Sequence, residues 1–144
     1  DIVKVKLFKK NFYFMDESYN SNPLSLKSAL KNFDMIKVVN TKKHLVLGDM
    51  LELGNYSKKL HIEIGKSINK TSLKNVNVIG KHVKWTFNNI NKSKKGIILK
   101  KKSHIIDLIK NTLNNNDYLM IKGSNSTGLN SLANQIKTGK INAL

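Results

Sequence analysis

The sequence contains no cysteine and no arginine, only one proline (Pro23) and only one tryptophan (Trp85). Without cysteine, disulfides and thiolate chemistry are excluded. Without arginine, the planar fork that reads guanine edges and grips carboxylates in two places is lost, and all 26 basic side chains are lysines. Acidic residues are scarce as well, 9 in all, which leaves a net charge of +17. No segment approaches the roughly 20 apolar residues of a membrane-spanning helix, and the N-terminus has no apolar run of signal-peptide length. The chain starts at Asp1 without an initiator Met, which points to a fragment. The expectation is a soluble, cytoplasmic protein.

What is present is one ordinary domain's worth of chain, 144 residues with 40% hydrophobic composition. A charge of +17 alone raises nucleic acid or an anionic membrane surface as a partner. Two features turn the reading away from that: base-reading arginines are absent, and so are interleaved aromatic platforms. Lysine, asparagine and isoleucine are what an AT-rich genome supplies, so the charge reads first as a solvated surface, with no nucleic-acid partner expected.

Val3 to Phe8 alternates apolar residues with lysines, the period of a half-exposed strand. Lys9-Lys10-Asn11 then reads as a turn and Phe12 to Met15 as the returning strand of a hairpin. Pro23 suits the first position of a helix whose buried stripe is Leu26, Ala29, Leu30 and Phe33. Short apolar runs follow at His44–Leu47, Val76–Ile79, Gly96–Leu99 and Asp117–Ile121. Helical spacing separates them: Leu60, Ile64 and Ile68 behind a Ser57 cap, a short element over His82–Asn89, and Ile105, Ile106, Ile109 and Leu113 behind a Ser103 cap. Leu129, Leu132, Ala133 and Ile136 mark a last helix. This alternation predicts an α/β fold, a mostly parallel sheet covered on both faces, with the N-terminal hairpin as an antiparallel edge. The domain is expected over residues 1–137, with 138–144 a frayed polar tail. Ligands of such sheets bind beyond the carboxyl ends of the strands, where the loops at Gly48, Gly80 and Gly123 and the turn from Asp16 to Asn22 are expected.

Three of those loops carry candidate chemistry. In Asp16-Glu17-Ser18-Tyr19-Asn20-Ser21-Asn22-Pro23, a strand-end carboxylate can accept ribose hydroxyls, the asparagines can bond an adenine edge, and the helix behind Pro23 offers free N–H groups to an anion. The same residue types are also ordinary turn and cap formers. In Gly48-Asp49-Met50-Leu51-Glu52-Leu53-Gly54, the two carboxylates can hold an ammonium group, or can be solvated while the apolar residues pack beneath. His61 follows Ser57 by four residues, and a lone helical histidine is more often packed than catalytic. Lys122-Gly123-Ser124-Asn125-Ser126-Thr127-Gly128 has the small hydroxyl residues of an anion pocket beside a lysine, or of a flexible loop. It lacks the spacing of a nucleotide-binding P-loop. The four histidines fall in separate elements, so no metal cluster is expected, and no nucleophile motif is present.

Taken in order, these segments resemble the C-terminal domain of the Mur ligases, which are ATP-dependent amide ligases. Asp16 to Pro23, with Ser25 and Ala29-Leu30, is similar to the signature D-D-S-Y-N-A-N-P-x-S-M-x-A-A-L of the branch that adds D-alanyl-D-alanine. Leu45 to Gly54, with Ser57, His61, Ile64 and Gly65, resembles that branch's L-V-L-G-D-M-L-E-L-G-x-x-S-x-x-x-H-x-x-I-G. Lys122-Gly123-Ser124 with Ser126 resembles its K-G-S-R-S, with Asn125 in the arginine position and Gly128-Leu129 in place of a Met-rich continuation. Glu17 stands for a second aspartate. Other Mur-type and folylpolyglutamate-type ligases carry different loops at 48–54.

The resemblance implies a Rossmann-like C-terminal domain of a three-domain enzyme of peptidoglycan precursor synthesis, joining D-alanyl-D-alanine to UDP-N-acetylmuramoyl-tripeptide. ATP and magnesium would be held mainly by a central domain, and the UDP-linked precursor by an N-terminal one. The tripeptide carboxylate would become an acyl phosphate, the dipeptide amine would attack it, and a tetrahedral intermediate would lose phosphate. For this chain it implies nucleotide contacts at Asp16, Tyr19, Asn20 and Asn22. Contacts to the amino component fall at Asp49, Glu52, Lys122, Gly123, Ser124 and Ser126, with support from Ser57 and His61. No catalytic residue or metal ligand is expected within it, and by itself it is expected to be inactive.

Overall fold

A computed structural model describes residues 1–141, the side chain of Ser126 excepted. The alternating N-terminal segment forms strand β1 (Ile2–Leu7), paired antiparallel with β2 (Lys10–Glu17), Leu7 lying opposite Lys10. The turn is the two-residue Phe8-Lys9, with φ of 53° and 61°, not Lys9-Lys10-Asn11 as the sequence leads one to expect. Positive φ at both central residues matches the twist of a hairpin. Lys10 is held in the strand, because its Nζ donates to the carbonyls of Ile109, Lys110 and Leu113, at the end of the helix α4 (Ser103–Asn111). A cation is favoured at such a C-terminus.

The remaining elements are α1 (Pro23–Met35), β3 (Lys43–Leu47), α2 (Ser57–Asn69), β4 (Val76–Ile79), α3 (Val83–Asn88), β5 (Lys95–Leu99), β6 (Tyr118–Lys122) and α5 (Leu129–Thr138). The sheet order is β1-β2-β6-β3-β4-β5, parallel except for the first pair. Side chains alternate across it. Leu45, Leu47 and Met120 face a core shared with Leu26, Leu30 and Phe33 of α1, Ile64 and Ile68 of α2, and Val83 and Phe87 of α3. Val46, Leu119 and Ile121 face the opposite core, with Ile105 and Ile109 of α4 and Leu132 and Ile136 of α5. The result is a three-layer α/β domain with the expected antiparallel edge.

Two serines expected as caps do otherwise. A 3₁₀ turn, Gly54–Tyr56, runs directly into α2, so Ser57 is already helical and its hydroxyl is free for histidines. Lys102 precedes α4 without a side-chain cap, and Ser103 is the first helical residue. At the other end, α5 retains Thr138, Gly139 closes it at φ 69°, and Ile141 packs on the second core. Residues 142–144 fall outside the described part.

Candidate functional site

The four strands β2, β6, β3 and β4 run parallel and end on one edge, which brings the loops after Glu17, Lys122, Leu47 and Ile79 side by side. Their glycines permit a close approach. A Cβ on Gly48 or Gly123 would stand 2.7 or 2.8 Å from Leu129 Cδ1, so both positions make room for the start of α5. The Gly48 amide donates to the Lys122 carbonyl at 2.7 Å and joins two of the loops at their roots.

Asp49 is engaged with the protein itself. Its carboxylate accepts from the backbone amides of Lys81, at 3.2 Å, and Val83, at 2.7 Å, and so covers the start of α3. Its carbonyl accepts the Ser124 amide at 3.1 Å. Gly80 leaves the space: at φ 131°, a Cβ there would lie 2.6 Å from Asp49 Oδ1. Asp49 thus braces three loops. The exposed carboxylate of this segment is Glu52, carried at a positive φ of 61°.

Behind the loop, the Met50 amide donates to His61 Nε2 at 3.1 Å. The proton of the ring must then sit on Nδ1, which donates to the Ser57 carbonyl at 2.7 Å. This is a neutral imidazole. Burial holds its pKa below the ordinary histidine value, against the pull of the Ser57 carbonyl and Asp49, and His82 adds to the lowering. Ser57 Oγ lies 3.3 Å from His61 Nδ1 and 3.1 Å from His82 Nδ1. Ser57 and His61 therefore support the loop from beneath and do not line it.

Along the first segment, Asp16 accepts from the Ser18 amide at 3.0 Å and from its hydroxyl, and pairs with Lys137 of α5 at 2.8 Å. Burial opposes its charge, but the bonds from Lys137 and Ser18 prevail and hold its carboxyl below the usual range. Asn22 caps α1: its Oδ1 accepts the Ser25 amide at 2.9 Å while Ser25 Oγ accepts the Asn22 amide at 3.1 Å. Tyr19 is exposed. Lys122 is only 4% exposed, and its Nζ donates to the Asn20 carbonyl. Burial pushes its pKa down, against the pull of Glu17. The lysine expected to face an anion is instead a pin beneath the loop. Ser124 Oγ accepts the Leu51 amide at 2.9 Å and lies 3.4 Å from the Ser21 carbonyl, so one hydroxyl spans all three segments.

Between them lies a groove of about 480 Å³, walled by Tyr19 to Asn22, Leu51 to Leu53, Ser124 and Asn125. Of the expected residues, Tyr19, Asn20, Asn22, Glu52 and Ser124 meet there, while Asp16, Asp49 and Lys122 brace its walls and are not among its lining. The side chain of Ser126 lies outside the described residues. The sequence reading passes over Ser21, which lines the groove and is buried. Only the meeting of separate loops distinguishes it from any turn serine. No group of three or more His, Asp or Glu side chains fit to hold a metal ion occurs among the described residues. Nor is any helix among them long and apolar enough to cross a membrane.

The family model described as Mur ligase, glutamate ligase domain, matches residues 5–125. The UDP-N-acetylmuramoyl-tripeptide–D-alanyl-D-alanine ligase of Buchnera aphidicola subsp. Acyrthosiphon pisum is 32% identical over 133 residues, covering 84% of this chain and 26% of the relative. The ligase of the same name from Haemophilus influenzae is 30% identical over 135 residues, 88% of this chain and 28% of its own. Among solved structures, MurF ligase from Thermotoga maritima in complex with ADP aligns with a TM-score of 0.72 at 22% identity, over 96% of this chain and 30% of that one. A MurF structure from Acinetobacter baumannii gives 0.73 at 22% identity, with the same coverage. The chain thus spans about a quarter of the length of these curated relatives, and the structural likeness shows that the fold is theirs.

Proposed function

Since the chain belongs to the Mur ligase family, glutamate ligase domain, we propose that it is the C-terminal domain of a ligase that joins D-alanyl-D-alanine to UDP-N-acetylmuramoyl-tripeptide at the expense of ATP. The observation that carries this reading is the meeting of three separate sequence segments, those resembling the D-alanyl-D-alanine-adding branch, in one groove at the carboxyl edge of the sheet. The name shared by the two relatives supports the same substrate pair. The ADP carried by the Thermotoga maritima structure supports the nucleotide.

In this reading the domain presents the incoming amine to an acyl phosphate formed on the tripeptide and keeps water away while the amide forms. Glu52, the exposed carboxylate of the groove, accepts hydrogen bonds from the ammonium of the dipeptide before it is deprotonated for attack. Tyr19, Asn20 and Asn22 form the rim toward the nucleotide, with Asp16 fixing the base of that turn. Phosphates and magnesium are held outside these residues, since the sequence has no P-loop. A ligase using ATP and a UDP-linked precursor works in the cytoplasm, where we place it.

The test is phosphate release by the enzyme carrying this domain. Release that requires ATP, the UDP-linked tripeptide and D-alanyl-D-alanine together, with the joined peptide detected by mass, is the expected result. Release that responds equally to L-alanine, D-glutamate or a diamino acid overturns the assignment. The 144-residue chain alone is expected to release none.

A further inference from the structure

His82 stands half-buried at the start of α3, between Lys81 and Val83, the two residues whose amides Asp49 holds. It lies outside all three segments that form the groove. Its ring stacks on that of His61, with 5.9 Å between centroids, and meets Trp85 edge-on at 5.6 Å. Its Nδ1 is 3.1 Å from Ser57 Oγ. Ser57 is itself buried, and its Oγ is also 3.3 Å from His61 Nδ1.

The hydrogen-bond directions in this cluster follow from one end. His61 Nε2 accepts the Met50 amide, so the ring carries its proton on Nδ1, aimed at the Ser57 carbonyl 2.7 Å away. A protonated Nδ1 cannot accept the Ser57 hydroxyl. Among the described residues, the other side chain within reach of that hydroxyl is His82. The hydroxyl therefore donates to Nδ1 of a neutral His82, whose own proton sits on Nε2. Without an acceptor at position 82, the hydroxyl is left to turn toward His61 Nδ1. That site accepts it only in a ring protonated on Nε2, the tautomer that cannot accept from Met50.

We propose that His82 is a positioning residue: by accepting the Ser57 hydroxyl it keeps His61 in the tautomer that ties down the Met50 amide, and so fixes the loop that carries Glu52. It acts through Ser57 and His61 and touches no substrate. The backbone on either side of it is held by Asp49 of the same loop, so ring and main chain at the start of α3 serve one purpose. The consequence for catalysis rests on the reading of Glu52 as the partner of the dipeptide ammonium, whereas the chain of hydrogen bonds does not.

Two substitutions separate this role from packing. His82→Asn keeps an acceptor near the place of Nδ1 and loses the ring. His82→Phe keeps a ring against His61 and Trp85 and loses the acceptor. In imidazole nitrogen NMR spectra at about pH 8.5, above the ordinary histidine range, His61 should carry its proton on Nδ1 and His82 on Nε2. In the Phe variant His61 should also show the Nε2 form, and the Met50 amide should exchange about two- to tenfold faster, the worth of one neutral hydrogen bond. Asn should restore both. In the full-length enzyme, with the dipeptide and ATP varied separately, Phe should raise the KM for D-alanyl-D-alanine by a similar factor and leave that for ATP in place, with Asn again close to the parent. The reverse order, Asn impaired and Phe like the parent, marks a packing residue and overturns the proposal. So does a neutral His82 protonated on Nδ1, or Met50 exchange unaltered by Phe. So does a dipeptide KM unmoved by Phe in an enzyme that uses the dipeptide. An enzyme indifferent to D-alanyl-D-alanine from the outset fails the proposed function instead, and the spectra and exchange rates still decide the role of His82.

Discussion

His61 Nε2 accepts the amide hydrogen of Met50 across 3.1 Å, and in doing so ties the loop that carries Glu52 to the second helix. Both residues are buried, so no water replaces the bond. His61→Ala leaves the Met50 amide unpaired and opens a cavity beneath the loop, and should cost about 2–4 kcal/mol of stability. Urea unfolding of the two proteins checks this. A loss below about 1 kcal/mol would mean that the bond contributes little.

The histidines also set a pH dependence. His44 Nε2 lies 3.0 Å from Asp117 Oδ2, and His44 Nδ1 has no partner among the described residues. Burial depresses His44, against the hydrogen bond and charge of Asp117, so in the folded chain this pair is a neutral imidazole donating to a carboxylate. His61 is depressed likewise. Both folded-state values lie below 6.5, so as pH falls the unfolded chain binds protons first. Their contribution is full above 6.5 and is lost as pH drops through the folded values. Asp16 adds a second loss, beginning only below 3.8. Denaturant midpoints should fall between about pH 7.5 and about pH 5.5, and His44→Gln with His61→Gln should flatten that slope. An unaltered slope in the double variant contradicts the assignment.

Gly80→Ala tests the brace made by Asp49. The added methyl meets the carboxylate at 2.6 Å, and the backbone at φ 131° resists a side chain in any case. Displacing Asp49 frees the amides of Lys81 and Val83. The expected cost is about 2–3 kcal/mol, combining backbone strain with a lost helix cap. Asp49→Asn, which keeps the shape but not the charge, should cost less, and the ratio of the two midpoint shifts is the readout.

Lys122→Met should separate stability from order. Removing a buried ammonium relieves its desolvation, so overall stability should change by no more than about 1 kcal/mol. The Asn20 carbonyl loses its donor, however, and the turn at 16–22 should exchange its amide hydrogens faster than in the parent chain. Hydrogen exchange that is unchanged there shows that the pin is dispensable.

Much of the fold was legible in the sequence because apolar spacing states it directly. Leu26, Ala29, Leu30 and Phe33 recur at helical intervals, and all four are buried in α1. The hairpin turn was not legible: Phe8-Lys9 has no glycine or asparagine, and its place is fixed by Lys10 reaching a helix end about 100 residues away in sequence. Ser57 and Ser103 look like caps locally, yet the turns preceding them already wind as helix. At the groove, residue type singled out loops that the fold brings together, but not which way each side chain points. Asp49 and Glu52 are equivalent as letters, whereas one faces backbone amides and the other faces solvent. Lys122 reads as an anion ligand until its burial is seen.

The central strand of this sheet is nearly the last to be made. β6 lies between β2 and β3 and pairs with both, through Tyr118↔Tyr13 and Tyr118↔Lys43 at one end and Lys122↔Glu17 and Lys122↔Leu47 at the other. Until residue 122 is available, no strand pairing can join the hairpin to the β3-β4-β5 half, and the inner flanks of β2 and β3 lack their partner. Closure then depends on contacts spanning more than 70 residues of sequence, the kind of topology that folds slowly and leaves strand edges open to other chains in the interval. The groove, whose walls come from both pieces, exists only after that late strand has been inserted.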